Sequence, residues 1–187
     1  MRLEEIANIN QGIPLNRIRL RKSMEKEERI VYSFESESNI EVPKDIEDID
    51  QKIPIIRKGM ILLNLTSYKA KQADREDIGK VIPSNYIIIE VKNKEKVDPD
   101  YLGWYIDQSE GFKRELHKIK QGSIIMSIPI NEFRKINIEL PNIKFQEKLG
   151  KINSLNKKRK KLFMEKQELL KQSIIAINEE ETLNGKR

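Results

Sequence analysis

The sequence predicts an α+β protein: a small mixed β-sheet body followed by a long C-terminal α-helix of coiled-coil character. Three observations carry this. Short β-branched runs, the clearest being Tyr86-Ile87-Ile88-Ile89-Glu90-Val91, recur between Gly, Pro and polar stretches. Two helical segments interrupt them after Pro99. From Ile143 the periodicity turns helical and stays so to about Asn178.

In chain order, residues 2–8 read as a short helix or strand lead-in, broken at Gln11-Gly12-Ile13-Pro14. Residues 17–29 read as charged loop or frayed helix, and residues 30–34 as a short strand. Residues 35–52 are acidic and aperiodic, which predicts a surface excursion. Arg57-Lys58-Gly59 is a turn into a strand over residues 60–65, and the polar residues 66–79 predict an exposed loop. Asp98 is placed to cap a helix that has Pro99 at its first position. That helix runs over residues 100–108, and Gly111 divides it from a second reaching about Ile119. Residues 124–130 and 136–140 predict two returns through the sheet, and Pro141 ends the last strand.

The final helix, about 35 residues at 1.5 Å each, spans roughly 50 Å. Leu155, Leu162, Leu169 and Ala176 fall at intervals of seven, flanked by Ile152, Phe163, Leu170, Ile174 and Ile177. Arg159, Lys166 and Ser173 hold the other seam position, so a strong parallel zipper is excluded. The stripe is buried either on the chain's own body or in a coiled coil with a second chain.

Composition narrows the function classes. The chain has 187 residues, no cysteine and one histidine, so disulfides are excluded and zinc chemistry is disfavoured. No apolar run approaches the length of about 18 residues that a membrane helix needs, and MRLEEIANIN lacks the apolar core of a signal peptide. A cytoplasmic protein is expected. The net charge of +6 resides in residues 144–187, where 12 Lys/Arg face 6 Asp/Glu. Residues 1–143 are neutral, but seven acids crowd residues 35–50 and leave the rest of the body basic. Such a surface invites nucleic acid.

Catalytic signals are weak. Glu90-Val91-Lys92 at a strand end matches the close of a magnesium-dependent nuclease signature, with Asp74 or Asp77 as the second carboxylate, or it is a strand leaving the core. His117 has no nucleophile signalled nearby. No Walker or G-x-G-x-x-G spacing occurs, and no glycine-rich methyl-donor loop follows a first strand. The chain reads as non-catalytic, with no cofactor and no metal. The groups suited to DNA are Arg17, Arg19, Arg21 and Lys22 for guanine or phosphate, and Tyr68, Lys69, Lys71 and Gln72 on a loop. Lys118, Lys120, Gln121 and Ser123 form a third set.

Taken in order, several segments resemble a type I restriction-modification specificity (S) subunit. They are Arg2-Leu3-Glu4-Glu5-Ile6-Ala7 with Gly12, Arg57-Lys58-Gly59-Met60-Ile61-Leu62, and Asp98-Pro99-Asp100-Tyr101-Leu102. A Gly-Ser loop follows, and then Leu140-Pro141-Asn142-Ile143-Lys144-Phe145-Gln146-Glu147-Lys148-Leu149, the most specific piece. Met60 replaces the aspartate usual in the second segment.

The resemblance implies a target recognition domain over residues 1–141, a conserved spacer helix over 142–178 and a polar tail over 179–187. Such a domain reads half of a bipartite site in double-stranded DNA and docks methyltransferase subunits, and restriction subunits with them. Catalysis lies in those partners. An ordinary S subunit has two such domains and two helices, whereas this chain has one of each. A homodimer through antiparallel helices would imitate the full subunit, with the helix as a ruler between half-sites about one DNA turn, roughly 34–36 Å, apart. The alternative is a regulatory or orphan interaction fragment without DNA specificity of its own.

Overall fold

A computed structural model describes residues 1–18, 25–44, 53–121 and 128–184. A four-stranded sheet of order β1-β6-β4-β5 is formed by β1 (Ala7–Gln11), β4 (Ile61–Asn64), β5 (Ala70–Gln72) and β6 (Tyr86–Val91). A separate ribbon pairs β2 (Lys26–Val31) with β3 (Ser38–Pro43). The sheet expected as mixed has antiparallel ladders, and among the described residues parallel pairing occurs only at the isolated bridges Ile13–Pro83 and Val31–Val81. The α+β class holds. The helices are α1 (Leu3–Ile6), α2 (Pro99–Gln108), α3 (Glu110–Gln121), α4 (Ile130–Arg134) and α5 (Ile143–Asn184).

The apolar runs of β4 and β6 follow from burial on both faces. Ile61, Leu63, Ile87 and Ile89 point into a core completed by Leu102 and Ile106 of α2, Phe112 and Leu116 of α3 and Phe133 of α4. Leu62, Tyr86 and Ile88 point the other way, against Tyr32 and Ile56. Strand alternation divides one continuous run between two cores. Gly12 is required by close approach, because a Cβ there would stand 2.1 Å from the Pro83 carbonyl oxygen. Among the described residues no helix is long and apolar enough to cross a membrane.

Tertiary pairing changes several elements expected from local pattern. The acidic excursion contains β3, which pairs with β2 from Lys26↔Pro43 to Val31↔Ser38. The polar loop contains β5, whose backbone completes the sheet edge on β4. The break between α2 and α3 falls at Ser109, whose Oγ accepts the Phe112 N–H at 3.4 Å. Of the first expected return, residues 124–127 lie outside the described residues and Ile130 opens helix α4; in place of the second, residues 136–140 make one bridge, Asn137 to Arg2. Residues 122–127 lie outside the described part.

The compact unit Met1–Gly150 includes the first two turns of α5. Asn142 Oδ1 accepts the Phe145 N–H at 3.0 Å and caps the helix. Gln146, 1% exposed, fastens this end. Its Oε1 accepts the Asp98 N–H at 3.1 Å, and its Nε2 donates to the carbonyls of Pro141 at 2.8 Å and Lys96 at 3.3 Å. Asp98 Oδ1 in turn accepts the Tyr101 N–H at 2.7 Å and caps α2. A Cβ on Gly150 would lie 2.3 Å from that same Oδ1. The second unit, residues 151–187, continues α5 to Asn184, so the helix extends past the expected tail boundary at 179. Its apolar stripe is open: Leu155, Leu162, Leu169 and Ile174 are 54–68% exposed.

Candidate nucleic-acid interface

The β4–β5 turn is built by Asn64, which is buried at the end of β4. Its Oδ1 accepts the N–H groups of Thr66 at 2.8 Å and Ser67 at 2.9 Å, and its backbone exchanges bonds with Tyr68 and Lys69. Asp107 of α2 accepts the Ala70 N–H through Oδ1 at 2.8 Å and pins the far side. Tyr68 is held at φ 57°, a left-handed conformation that costs a non-glycine residue about 1–3 kcal/mol. The turn therefore fixes the backbone at Tyr68, whose side chain packs partly on the core, and leaves Lys69 exposed.

Helix α3 buries Phe112 and Leu116 in the core, so Lys113, Arg114, His117 and Lys118 are exposed on its other sides. Between this helix and the β4–β5 turn lies a cleft of about 420 Å³, lined among others by Tyr68, Lys69, Asp107, Lys113 and His117. Two groups far apart in sequence thus meet around one basic concavity. Lys113 and His117 were visible in the sequence as a basic-cluster lysine and a lone histidine, but were not among the expected DNA contacts. Their i, i+4 spacing opposite the buried Phe112 and Leu116 was the available signal.

Other expected contacts do not join this cleft. Lys71 alternates with Ala70 on β5 and reaches the opposite sheet face, where its Nζ pairs with Asp74 at 3.0 Å and Asp77 at 3.4 Å. Gln72 is half-buried on the α2 side. Arg17 is exposed in a short 3₁₀ turn beside Leu15 and Ile18, which pack on a separate cluster of Ile13, Val42, Ile53 and Val81. Lys118 is exposed and pairs with Glu115 at 2.6 Å. Arg19, Arg21, Lys22 and Ser123, and the side chains of Lys120 and Gln121, lie outside the described residues.

Under the other sheet face is a buried charge network. Lys80 Nζ bonds Asp77 Oδ1 at 2.9 Å and also Glu37, which lies just before β3. Burial opposes ionisation of Asp77, but hydrogen bonds from Lys80 and the Asp74 N–H, with the charges of Lys71 and Lys80, hold its carboxyl below the usual range. Burial would lower Lys80, yet Glu37 and Asp77 hold it above the ordinary lysine value. Nearby, burial and then the Asp77 charge push the Tyr32 hydroxyl up. The network ties the ribbon's base to the body.

The nuclease arrangement does not assemble. Arg57 Nη2 holds both Glu90 oxygens, at 3.2 and 3.4 Å, Lys92 Nζ donates to the Glu4 carbonyl at 2.6 Å, and Asp77 is engaged by lysines. Each group is already committed elsewhere.

No family model and no curated protein sequence matches the chain. Solved structures do. The type I restriction-modification S subunit from M. genitalium superposes with a TM-score of 0.55 at 12% identity, over 85% of this chain and 38% of that one. The HsdS subunit from Thermoanaerobacter tengcongensis gives 0.56 at 15% identity, over 87% and 42%. The fold is that of a type I S subunit. A third chain, from a structure addressing complex assembly and conformational transition of the type I R-M system, gives 0.58 at 14% identity, over 87% and 43%. The chain spans about two fifths of the length of the chains it matches.

Proposed function

We propose that this chain carries one target recognition domain and the spacer helix of a non-catalytic specificity subunit of a cytoplasmic type I restriction-modification system. Its body reads one half of a bipartite site in double-stranded DNA, and it docks methyltransferase and restriction subunits that carry the chemistry. The observation that carries this reading is the S-subunit fold over 85–87% of this chain. The basic cleft and the open apolar stripe of α5 support it.

A second copy would cover that stripe. Charge favours an antiparallel pair: Lys157, Lys158, Arg159, Lys160 and Lys161 lie toward one end of α5, and Glu179, Glu180 and Glu181 toward the other. Antiparallel pairing about Leu169 and Leu170 sets basic against acidic run, whereas parallel pairing stacks like on like. Selection of duplex DNA from a random pool by the chain with its methyltransferase tests the function. An enriched palindromic two-part motif with a set spacer is expected. A flat profile governed only by salt would favour the regulatory fragment.

A further inference from the structure

We propose that the cleft between the β4–β5 turn and α3 seats a DNA backbone phosphate, and that His117 is a protonation-dependent contact to it. This deepens the DNA-recognition reading above and rests on it. The argument begins with shape. The cleft lies between a turn locked by Asn64 and Asp107 and a helix anchored by Phe112 and Leu116, so its walls are set before any ligand arrives. Tyr68 is held there in a left-handed conformation, the kind of local cost that a binding surface retains.

The second element is charge. Lys69 enters from the turn, and Lys113 and His117 enter from α3 one turn apart. The carboxylate on the wall, Asp107, is engaged by the Ala70 N–H and the Gln108 amide. Lys113 is paired with Glu110 at 3.0 Å, both side chains being well exposed, and such a pair yields readily to a phosphate. Arg114 and Lys118 flank His117 on its own helix, with Glu115 held by Lys118. Four cations, Lys69, Lys113, Arg114 and Lys118, thus stand against three carboxylates, Asp107, Glu110 and Glu115, and the remaining positive charge suits an anion bridging turn and helix.

The third element is that His117 is the chain's single histidine. Imidazole changes charge between about pH 5 and 8, and the protonated ring donates through both nitrogens. A neutral ring gives one donor, and a charged ring adds one cation to the seat. Binding of a phosphodiester, whose charge is constant over that range, then releases about one more counterion at the lower pH.

The test measures dissociation constants of the full-length chain for the duplex it selects, or for a mixed-sequence duplex if none is selected. Salt titrations are made at pH 5.8 and 7.8 on wild type, His117→Gln and Lys113→Ala, with thermal unfolding as the control for folding. Per bound chain, wild type should bind roughly tenfold tighter at the lower pH, with a salt slope steeper by about one, and a dimer seated on both half-sites should show about twice that change in slope. His117→Gln should abolish both differences at unchanged unfolding temperature, and Lys113→Ala should reduce the slope by about one at both pH values. A pH difference that survives His117→Gln overturns the proposal. Sequence-selective binding without any pH difference overturns the seat and leaves the recognition reading intact. A pH-linked, His117-dependent but sequence-blind profile does the reverse, and no binding at all overturns both.

Discussion

The Gln146 side chain accepts the backbone N–H of Asp98 at 3.1 Å, 48 residues away, while Asp98 caps α2. One contact therefore joins the start of the long helix to the start of the helix that closes the core. Two segments that carried the family resemblance, Asp98-Pro99-Asp100-Tyr101-Leu102 and the Gln146 element, are partners in space.

Gln146→Leu keeps the side-chain volume but strands the Asp98 N–H and the carbonyls of Pro141 and Lys96. A fully buried orphan costs about 1–3 kcal/mol; these three groups are part-buried and regain some hydration, so a total loss of about 1–2 kcal/mol is expected. Denaturant unfolding followed by tryptophan emission from Trp104 on α2 measures it. A change below about 0.5 kcal/mol, the level of an ordinary surface substitution, would show that the clamp does not hold this junction.

Acid should weaken the body through Asp77. Its carboxyl titrates lower folded than unfolded, so its stabilisation is complete above the ordinary aspartate range near pH 4 and is lost as pH falls through the depressed folded value. Asp77→Asn removes that dependence and leaves Lys80 with Glu37 alone, at a cost of about 3 kcal/mol at pH 7. The variant's unfolding free energy should converge on wild type below pH 4. Parallel curves from pH 2 to 7 would contradict this assignment.

The helix stripe can be broken without touching the body. Leu162→Glu with Leu169→Glu places charge on exposed positions, so the unfolding of Met1–Gly150 should move by less than about 0.5 kcal/mol. Sedimentation equilibrium at micromolar concentration should shift from dimer to monomer, and the two-part DNA motif should be lost with it. A wild-type chain that stays monomeric even with DNA would remove the paired-ruler model.

Strands β4 and β6 and helices α2 and α5 are legible in the sequence because each carries a local signature: β-branched runs, an Asp-Pro cap, or a heptad stripe. Of the ribbon only Ile30 and Val31 fall in an expected strand; residues 26–29, expected as loop or frayed helix, and β3 and β5 are not legible. β3 pairs with the charged Lys26-Glu27-Glu28-Arg29 of β2, and β5 earns its place through backbone bonds to β4 while Lys71 finds its counterions in Asp74 and Asp77. β3 shows only the short alternation Ile40 and Val42, and β5 shows none. α4 was hidden because Ile128, Phe133, Ile136 and Ile138, all buried, are spaced ambiguously between helix and strand.

By itself the sequence determined the fold class, the sharp passage at Pro141 from body to helix, and the stripe along α5, since periodicity and caps act within a few residues of chain. Only the tertiary structure decided which basic groups share a surface. Tyr68 and Lys69 meet Lys113 and His117 because the β4–β5 turn and α3 pack on one core, while Lys71, one strand position from Ala70, is carried to the opposite face. Side-chain alternation and long-range packing set that geometry, and both depend on partners distant in the chain.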